Sequence, residues 1–476
     1  MSDAKTPLAL CANKDVKFGT SGVRGPVAEL SKSLCQGFTQ AFLSTLCRAD
    51  SVCLGVDLRP SSPQLAKWVS EQAQEMGVNV LDCGPLPTPA LALYAMQQGL
   101  PAIMITGSHI PFDRNGMKFY LPTGEISKAD EQAILTSRLD SCANKRLRGG
   151  SQDCAERASQ HYQQRYYDAF PTLNLGNKRI GVYQHSSVTR DLLTEVLRHF
   201  GAEVIELGRS DHFVALDTEA VGDTEQALAQ QWTQQYRLDA IVTTDGDGDR
   251  PLIADEAGQW LRGDQVGMLT CHALQATHIA TPINSNSGLE HFIPAAKVVR
   301  TKIGSPYVIE AMQQATEQDN SLGFEANGGV LLGRNHHRLT SLPTRDALLP
   351  ILCVLSTLAN QPLSSLSNIL PKRYSASSRI QNVDQEICRQ LLENLVAPDA
   401  WPALLAAIQP CHALQIATIN TLDGVRATLT NGDILHLRAS GNANELRIYS
   451  ESNTIQRANQ VCSNTEIHIS SLFFDV

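Results

Sequence analysis

The chain has no Cys-x-x-Cys pair, although it holds twelve cysteines. The closest two, Cys47 and Cys53, do not make a zinc knuckle. Most lie in apolar runs such as Val52-Cys53-Leu54 and Leu352-Cys353-Val354, where a free thiol behaves as a small buried hydrophobe. Long apolar runs are missing too: the longest, Ala347 to Ala359, is too short to span a bilayer and carries Pro350. The N-terminal MSDAKTPLAL lacks the cationic flank and apolar core of a signal peptide. A reducing, cytoplasmic setting without a membrane partner is the expectation. No Lys/Arg block occurs and the net charge is −9, which argues against nucleic acid as a partner. Aromatic residues make up 5%, but the hydrophobic share is 42%, enough for several cores and unlike a disordered chain. The 476 residues suggest about three or four domains.

What is present is a repeated β-α-β pattern. Ser51 to Asp57 reads as a buried strand, Ser61 to Met76 as a helix stopped by Gly77, and Val78 to Leu81 as a strand ending at Gly84. Arg179 to Tyr183, Val188 to Phe200 and Val204 to Leu207 repeat it, with Gly201 and Gly208 at the same separation. A third copy starts near Ile279 to Ile283. This pattern predicts three similar α/β domains, 1–155, 156–257 and 258–368, each with a largely parallel sheet. Arg146 to Gln152 reads as the first linker. Residues 369–476 differ: Leu414 to Asn420, Gly424 to Thr430, Asp433 to Leu437 and Glu445 to Glu451 are short β-rich runs around turns, predicting a smaller α+β domain.

Loops at strand ends carry the chemistry. Thr106-Gly107-Ser108-His109-Ile110-Pro111 follows the apolar strand Ala102 to Ile105, with a polar loop, Phe112 to Asn115, and then Lys118 beyond. A hydroxyl beside an imidazole at a strand's carboxyl end is where open α/β sheets place reactive groups, though Gly, Ser and Pro also make plain turns. Phe18 to Gly25 is glycine-rich around Arg24 and is either an anion loop or a hairpin turn. The buried strand Leu238 to Thr244 runs into Asp245-Gly246-Asp247-Gly248-Asp249-Arg250. Three carboxylates at alternate positions repel one another unless a cation neutralises them, and hard oxygen ligands suit Mg²⁺ or Mn²⁺. An EF-hand is excluded because Arg250 stands where its glycine must be and a strand precedes the loop. A phosphatase with Asp245 as nucleophile stays open. Gly323 to Gly329 places Glu325 and Asn327 in a loop suited to sugar hydroxyls, or is an ordinary turn. Arg438-Ala439-Ser440-Gly441-Asn442 offers guanidinium, hydroxyl, amide and backbone N–H groups to a phosphate.

Taken together, these segments resemble, in order and over essentially the whole chain, the signature segments of the α-D-phosphohexomutase family, and within it most the bacterial phosphomannomutases. The resemblance implies four domains round a central cleft and an isomerase that interconverts hexose 1-phosphate and 6-phosphate, with a hexose 1,6-bisphosphate as intermediate and activator. By the same resemblance Ser108 carries a phosphoryl group, and Mg²⁺ is held by that group with Asp245, Asp247 and Asp249. Arg24, His109, Lys118 and Arg250 match the cationic catalytic residues. Glu325, Asn327, Lys302, Arg438, Ser440, Gly441 and Asn442 match substrate-binding positions. Mannose is the expected sugar, with glucose or an amino sugar as alternatives and a silent sugar-phosphate sensor as the other class. A monomer or homodimer is expected. Gly107 and Ile110, Asn327 and Gly329, and Asn442 to Asn444 depart from the common family pattern.

Overall fold

The computed structural model describes residues 6–19, 22–139, 148–409, 414–440 and 444–474. The chain forms two compact units, Met1–Ile279 with Gly304–Leu366, and Ala280–Ile303 with Ser367–Val476. Among the described residues no helix is long and apolar enough to cross a membrane.

In the first unit, the apolar strands Ser51–Val56, Asn79–Pro85 and Ala102–Ile105 pair in parallel, as their continuous hydrophobic runs demand of strands covered on both faces. Arg114–Leu121 then joins Ala102–Ile105 antiparallel, and Gly22–Pro26 and Lys17–Phe18 extend the edge. Helices Lys32–Thr45, Ser62–Glu75 and Thr88–Gln98 supply the apolar cover. Phe38, Phe42 and Phe119 meet in this core, with Phe42 and Phe119 ring centroids 5.0 Å apart. A second sheet holds Glu203–Leu207, Arg179–Tyr183 and Ala240–Thr244 in parallel, closed by antiparallel Pro251–Ala254. The glycine repeat has a conformational cause. Gly77 and Gly201, after equivalent helices, have φ of 77° and 89°; Gly84, near the end of its strand, and Gly208, just past the equivalent strand, have 61° and 55°. Only glycine takes these values without strain.

Three expectations are corrected. Ser151 and Gln152 are not linker: Ser151–Asp153 pairs in parallel with Asn79–Pro85, its polar side chains suiting an exposed edge, while Arg146 and Leu147 of the predicted linker lie outside the described residues. Sheets are mixed rather than largely parallel, and Ser321–Phe324, Val330–Leu332 and Leu342–Asp346 run antiparallel, because short hairpin loops join them. Arg114 and Asn115 belong to a strand rather than to the loop before it.

The second unit contains an antiparallel sheet ordered Tyr374–Gln381, Glu445–Ser452, Ile434–Ala439, Val425–Leu429 and Ile416–Asn420. Helices Gln385–Asn394, Pro402–Ile408 and Ile455–Phe474 accompany it. Trp401, Leu437, Ile448 and Val461 are core residues, and buried Trp401 donates its indole N–H to Leu395 O at 2.8 Å. On the other sheet face, His436 is buried with Nε2 donating to Asp423 O at 2.6 Å. Burial pushes its pKa down to about 4 from 6.5. The native state therefore holds this imidazole neutral while the unfolded chain protonates it, so its contribution is complete above about pH 6.5 and is lost as pH falls toward 4. The thermal midpoint should fall across that window. In His436→Gln, which keeps an N–H donor but cannot charge, the fall should be shallower; an identical decline would remove His436 from the account.

Candidate active site

Ser108 sits at the carboxyl end of strand Ala102–Ile105, fully buried, with φ of 56°. A non-glycine residue in this left-handed region is strained, and the surrounding bonds explain how it is held. Its N–H donates to Thr106 Oγ1 at 2.8 Å. Thr106 Oγ1 donates to Asp57 Oδ2 at 2.7 Å. Arg59, buried and paired through Nε with Asp57 at 3.1 Å, clamps the loop. Its Nη1 donates to the carbonyls of Pro111 at 2.6 Å and Arg114 at 2.9 Å, and its Nη2 to those of Ser108 at 2.9 Å and Ile110 at 2.5 Å. The guanidinium lies 4.0 Å from the Phe213 ring centroid. A Cβ at position 107 would stand 2.6 Å from Arg59 Cζ, so a larger residue there would have to displace the guanidinium.

The Ser108 hydroxyl donates to Asp245 Oδ2 at 2.5 Å and lies 3.3 Å from His109 Nδ1. Asp245 opens the hairpin between Ala240–Thr244 and Pro251–Ala254, and Gly248, at φ 75°, lets the chain turn. Asp245, Asp247 and Asp249 are all buried, and each brings a carboxylate oxygen within 4.8 Å of the others. Lys118, buried on strand Arg114–Leu121, donates to Asp247 Oδ2 at 2.6 Å and Asp249 Oδ2 at 2.7 Å. Thr88 Oγ1 donates to Asp247 Oδ2 at 2.6 Å. Burial, then the charges of Asp247 and Asp249, push the Asp245 carboxyl well above the usual range. Burial also opposes ionisation of Asp249, yet Arg345, Lys118 and Arg250 together hold it well below that range. Asp247 Oδ1 and Asp249 Oδ1 are buried without a hydrogen-bond partner among the described residues. Carboxylate oxygens left open beside a carboxyl that cannot easily ionise fit a divalent cation.

More cations surround the cluster. Arg250 Nε stands 3.7 Å from Asp249 Oδ1 and 4.0 Å from Asp245 Oδ2. Arg24, on strand Gly22–Pro26, has its pKa pushed down to about 10 by burial and then by the charges of Arg250 and Arg345. Arg345, on strand Leu342–Asp346, is the residue that sequence reasoning missed. Its Nη2 lies 2.9 Å from Asp249 Oδ2, and its Nη1 donates to Glu325 Oε2 at 2.7 Å. It thereby ties the carboxylate loop to the Glu325 loop. Glu325 N–H donates to Gly329 O at 3.1 Å, which makes this loop the hairpin between Ser321–Phe324 and Val330–Leu332. Asn327 Oδ1 accepts from Gly329 N–H at 3.0 Å, and Asn327 O from Thr218 Oγ1 at 3.0 Å. The only sequence signal for Arg345 or Arg59 was an arginine next to or near an aspartate at a strand end, Arg345-Asp346 and Asp57-Leu58-Arg59.

In the second unit, Asp423 organises the remaining candidates. Its Oδ1 accepts from Arg438 Nε at 2.9 Å and its Oδ2 from Ile303 N–H at 2.8 Å, next to Lys302. Ser440 N–H donates to Glu445 O at 2.9 Å, and its carbonyl accepts from Gln385 Nε2 at 3.1 Å. Gly441 and Asn442 lie outside the described residues. Ser108, His109, Lys118, Arg24, Arg250, the three aspartates and Glu325 thus gather in the first unit, and Lys302, Arg438 and Ser440 in the second.

Comparison with known proteins agrees along the chain. Residues 15–141 match the phosphoglucomutase/phosphomannomutase α/β/α domain I, 161–258 its domain II and 262–375 its domain III. A phosphomannomutase of Salmonella muenchen is 43% identical over 467 residues, which covers 96% of this chain and 95% of that protein. A phosphomannomutase of Sinorhizobium fredii is 43% identical over 454 residues, covering 92% of this chain and 95% of the relative. The fold is shared with the crystal structure of a phosphoglucomutase/phosphomannomutase family protein from Burkholderia thailandensis, at TM-score 0.73 and 19% identity, over 95% of this chain and 96% of that one. By these matches and by the buried carboxylate cluster beside Ser108, the chain belongs to the phosphoglucomutase/phosphomannomutase family of isomerases.

Proposed function

We propose that the protein interconverts mannose 1-phosphate and mannose 6-phosphate through a phosphoserine at Ser108. The observation that carries this reading is the 2.5 Å bond from Ser108 to Asp245 inside a buried three-carboxylate cluster. In the forward direction the bond between phosphorus and Ser108 Oγ breaks, and a bond to the free sugar hydroxyl forms. That hydroxyl gives up its proton, and the product is a hexose 1,6-bisphosphate. The sugar reverses, and its other phosphate returns to Ser108. Phosphoryl transfer spreads negative charge over three oxygens, so fixed cations stabilise it. Arg24, Arg250 and His109 are assigned that task, and Lys118 is the candidate that holds or moves the hydroxyl proton. Asp245, Asp247 and Asp249 would hold Mg²⁺, which would neutralise charge on the phosphoryl oxygens. Arg438 and Ser440 are assigned to the distal phosphate, with Lys302 beside them.

Glu325 has one oxygen on Arg345 and keeps Oε1 for ring hydroxyls. Asn327 Oδ1 already accepts one bond within the loop, which leaves its amide N–H groups and one lone pair for a sugar. The preference for mannose rests on the two relatives at 43% identity, both phosphomannomutases.

A coupled assay over mannose, glucose, glucosamine and N-acetylglucosamine 1-phosphates, with glucose 1,6-bisphosphate as activator, tests the assignment. Mannose 1-phosphate should turn over best and glucose 1-phosphate more slowly. An amino sugar preferred by more than about tenfold, on the order of 1.4 kcal/mol, would overturn it. Intact-mass and peptide analysis should find phosphoryl on Ser108, and Ser108→Ala should show no turnover. Exhaustive chelation should abolish activity and Mg²⁺ restore it; full activity in the chelated protein would contradict the metal assignment. Arg345→Gln should lower kcat/KM by about tenfold or more, since a charge-assisted bond is worth roughly 1.5–3 kcal/mol. Arg345→Lys should recover only part, because an ammonium cannot bridge two carboxylates as a planar fork does.

A further inference from the structure

A cavity of about 530 Å³ opens in the second unit, and Arg438 is not among its lining residues. Ser287, Gly288 and His291 line one side, Pro371 to Arg373 another, and Arg426, Thr428 and Ile434 the sheet face. Its volume is that of small-molecule sites, and its charge is lopsided. Arg373 is committed: Nε donates to Glu451 at 2.6 Å, Nη1 to Asn453 at 2.7 Å and Nη2 to Gly432 O at 2.9 Å. Arg300, close enough to repel Arg426, is likewise committed, through Nε and Nη2 to Glu290 at 2.9 and 2.8 Å, and to the carbonyls of Ser285 and Asn286. Glu451 is further occupied by Ser287, whose N–H donates to it at 2.9 Å. Both nearby carboxylates are therefore used by Arg373 and Arg300.

Two cations remain. Arg426, half-buried on strand Val425–Leu429, has no hydrogen-bond or ion-pair partner for its guanidinium among the described residues, and Lys372 at the rim has no ion pair there either. Glu451 and Glu290 act on Arg426 only through space, against Arg300 and Arg373, and a half-buried guanidinium without a directly bonded anion is costly. Thr428 adds a hydroxyl on the same strand, two residues from Arg426 and hence on the same sheet face. His436, opposite Arg426 in the strand register, lies between this cavity and Arg438, and its Nε2 is already given to Asp423. Arg438 and Ser440 thus contribute no lining to the cavity.

We propose that this cavity binds a dianionic phosphate group, either inorganic phosphate or a phosphate monoester, with the Arg426 fork and the Lys372 ammonium as its charged contacts. A guanidinium pairs two oxygens at once and an ammonium adds a point charge. Two cations without an ion pair of their own among the described residues match a dianion. Nothing in this depends on the mutase reading, since none of these residues is assigned to the transfer chemistry.

The test uses the full-length chain carrying Arg438→Ala, which weakens the loop assigned to substrate phosphate. Calorimetric titration with inorganic phosphate, adenosine monophosphate and mannose 6-phosphate, at low and at raised salt, measures what binds. Binding should persist in this background and weaken by about tenfold when Arg426→Gln is added, as loss of a charged bond to phosphate implies. It should weaken with salt as well. Equal affinity for all three probes would assign the bare phosphate as the ligand; tighter binding of one monoester would assign the group attached to it. Arg426→Gln alone should leave turnover of the wild-type enzyme intact. Lys372→Gln, a change at an exposed position, gives the same reading should the Arg426 variant fail to fold, which circular dichroism shows. Binding that neither substitution weakens, or no binding by any probe, would overturn the proposal.

Discussion

Three carboxylates within 4.8 Å of one another, all buried, set the terms for the first unit. Two like charges about 4 Å apart cost roughly 4 kcal/mol at an effective dielectric near 20, more than burying a leucine contributes, about 1.5–3 kcal/mol. Packing alone cannot hold such a loop. The compensation comes from Lys118 on one sheet, Arg250 on the aspartates' own hairpin and Arg345 on the strands around the Glu325 loop. Because these cations come from separate parts of the chain, neutralising the cluster and assembling the unit are one requirement. Removing a partner from a buried ion pair costs about 3–5 kcal/mol, so the charge balance constrains the fold as strictly as the apolar core does.

The Ser108 loop obeys a second constraint that the first imposes. Ser108 must turn its hydroxyl onto Asp245, and it does so at φ 56°. Strain of this kind, on the order of 1–3 kcal/mol, persists only where the surroundings over-determine it. Arg59 supplies that over-determination with donations to four carbonyls of the loop and its approach. Gly107 is the residue that leaves room for the guanidinium. The space left by this departure from the family pattern is occupied by Arg59.

These constraints also explain what could be read from the sequence. The Asp245, Asp247 and Asp249 spacing was legible because adjacent like charges carry their own demand for a partner. The glycines at 77, 84, 201 and 208 were legible because a positive φ leaves a glycine in the sequence. The hairpin nature of the Glu325 loop and the edge strand Ser151–Asp153 were not, since polar residues at an edge look like loop. Strand Tyr374–Gln381 was missed because its serines blur the alternation on which strand reading depends. Arg59 and Arg345 were invisible for a different reason. Arg59 reaches carbonyls some 50 residues away, Arg345 lies 96 residues from Asp249, and no local pattern records a partner that distant. The catalytic assignment of Lys118 came only from family resemblance; its bond to Asp249, and the link from Asp249 through Arg345 to Glu325, belong to the three-dimensional arrangement.

The same cluster contains unsatisfied groups of both signs. Asp247 Oδ1 and Asp249 Oδ1 have no donor, and Arg250 Nε, a few ångströms away, has no hydrogen-bond acceptor among the described residues. Arg24 is half-buried, and burial, then the charges of Arg250 and Arg345, depress its pKa to about 10. Buried polar atoms are normally paired, and a purely structural ion-pair network would have closed these bonds upon itself. A ligand that was only a cation would satisfy the oxygens and add to the repulsion around Arg24 and Arg250. One that was only an anion would satisfy the arginines and face the open carboxylates. A metal ion and a phosphoryl group bound side by side meet both demands, since each neutralises what the other would leave exposed. The pattern of incomplete bonding thus supports the proposed phosphoryl transfer at Ser108 on grounds separate from any relative.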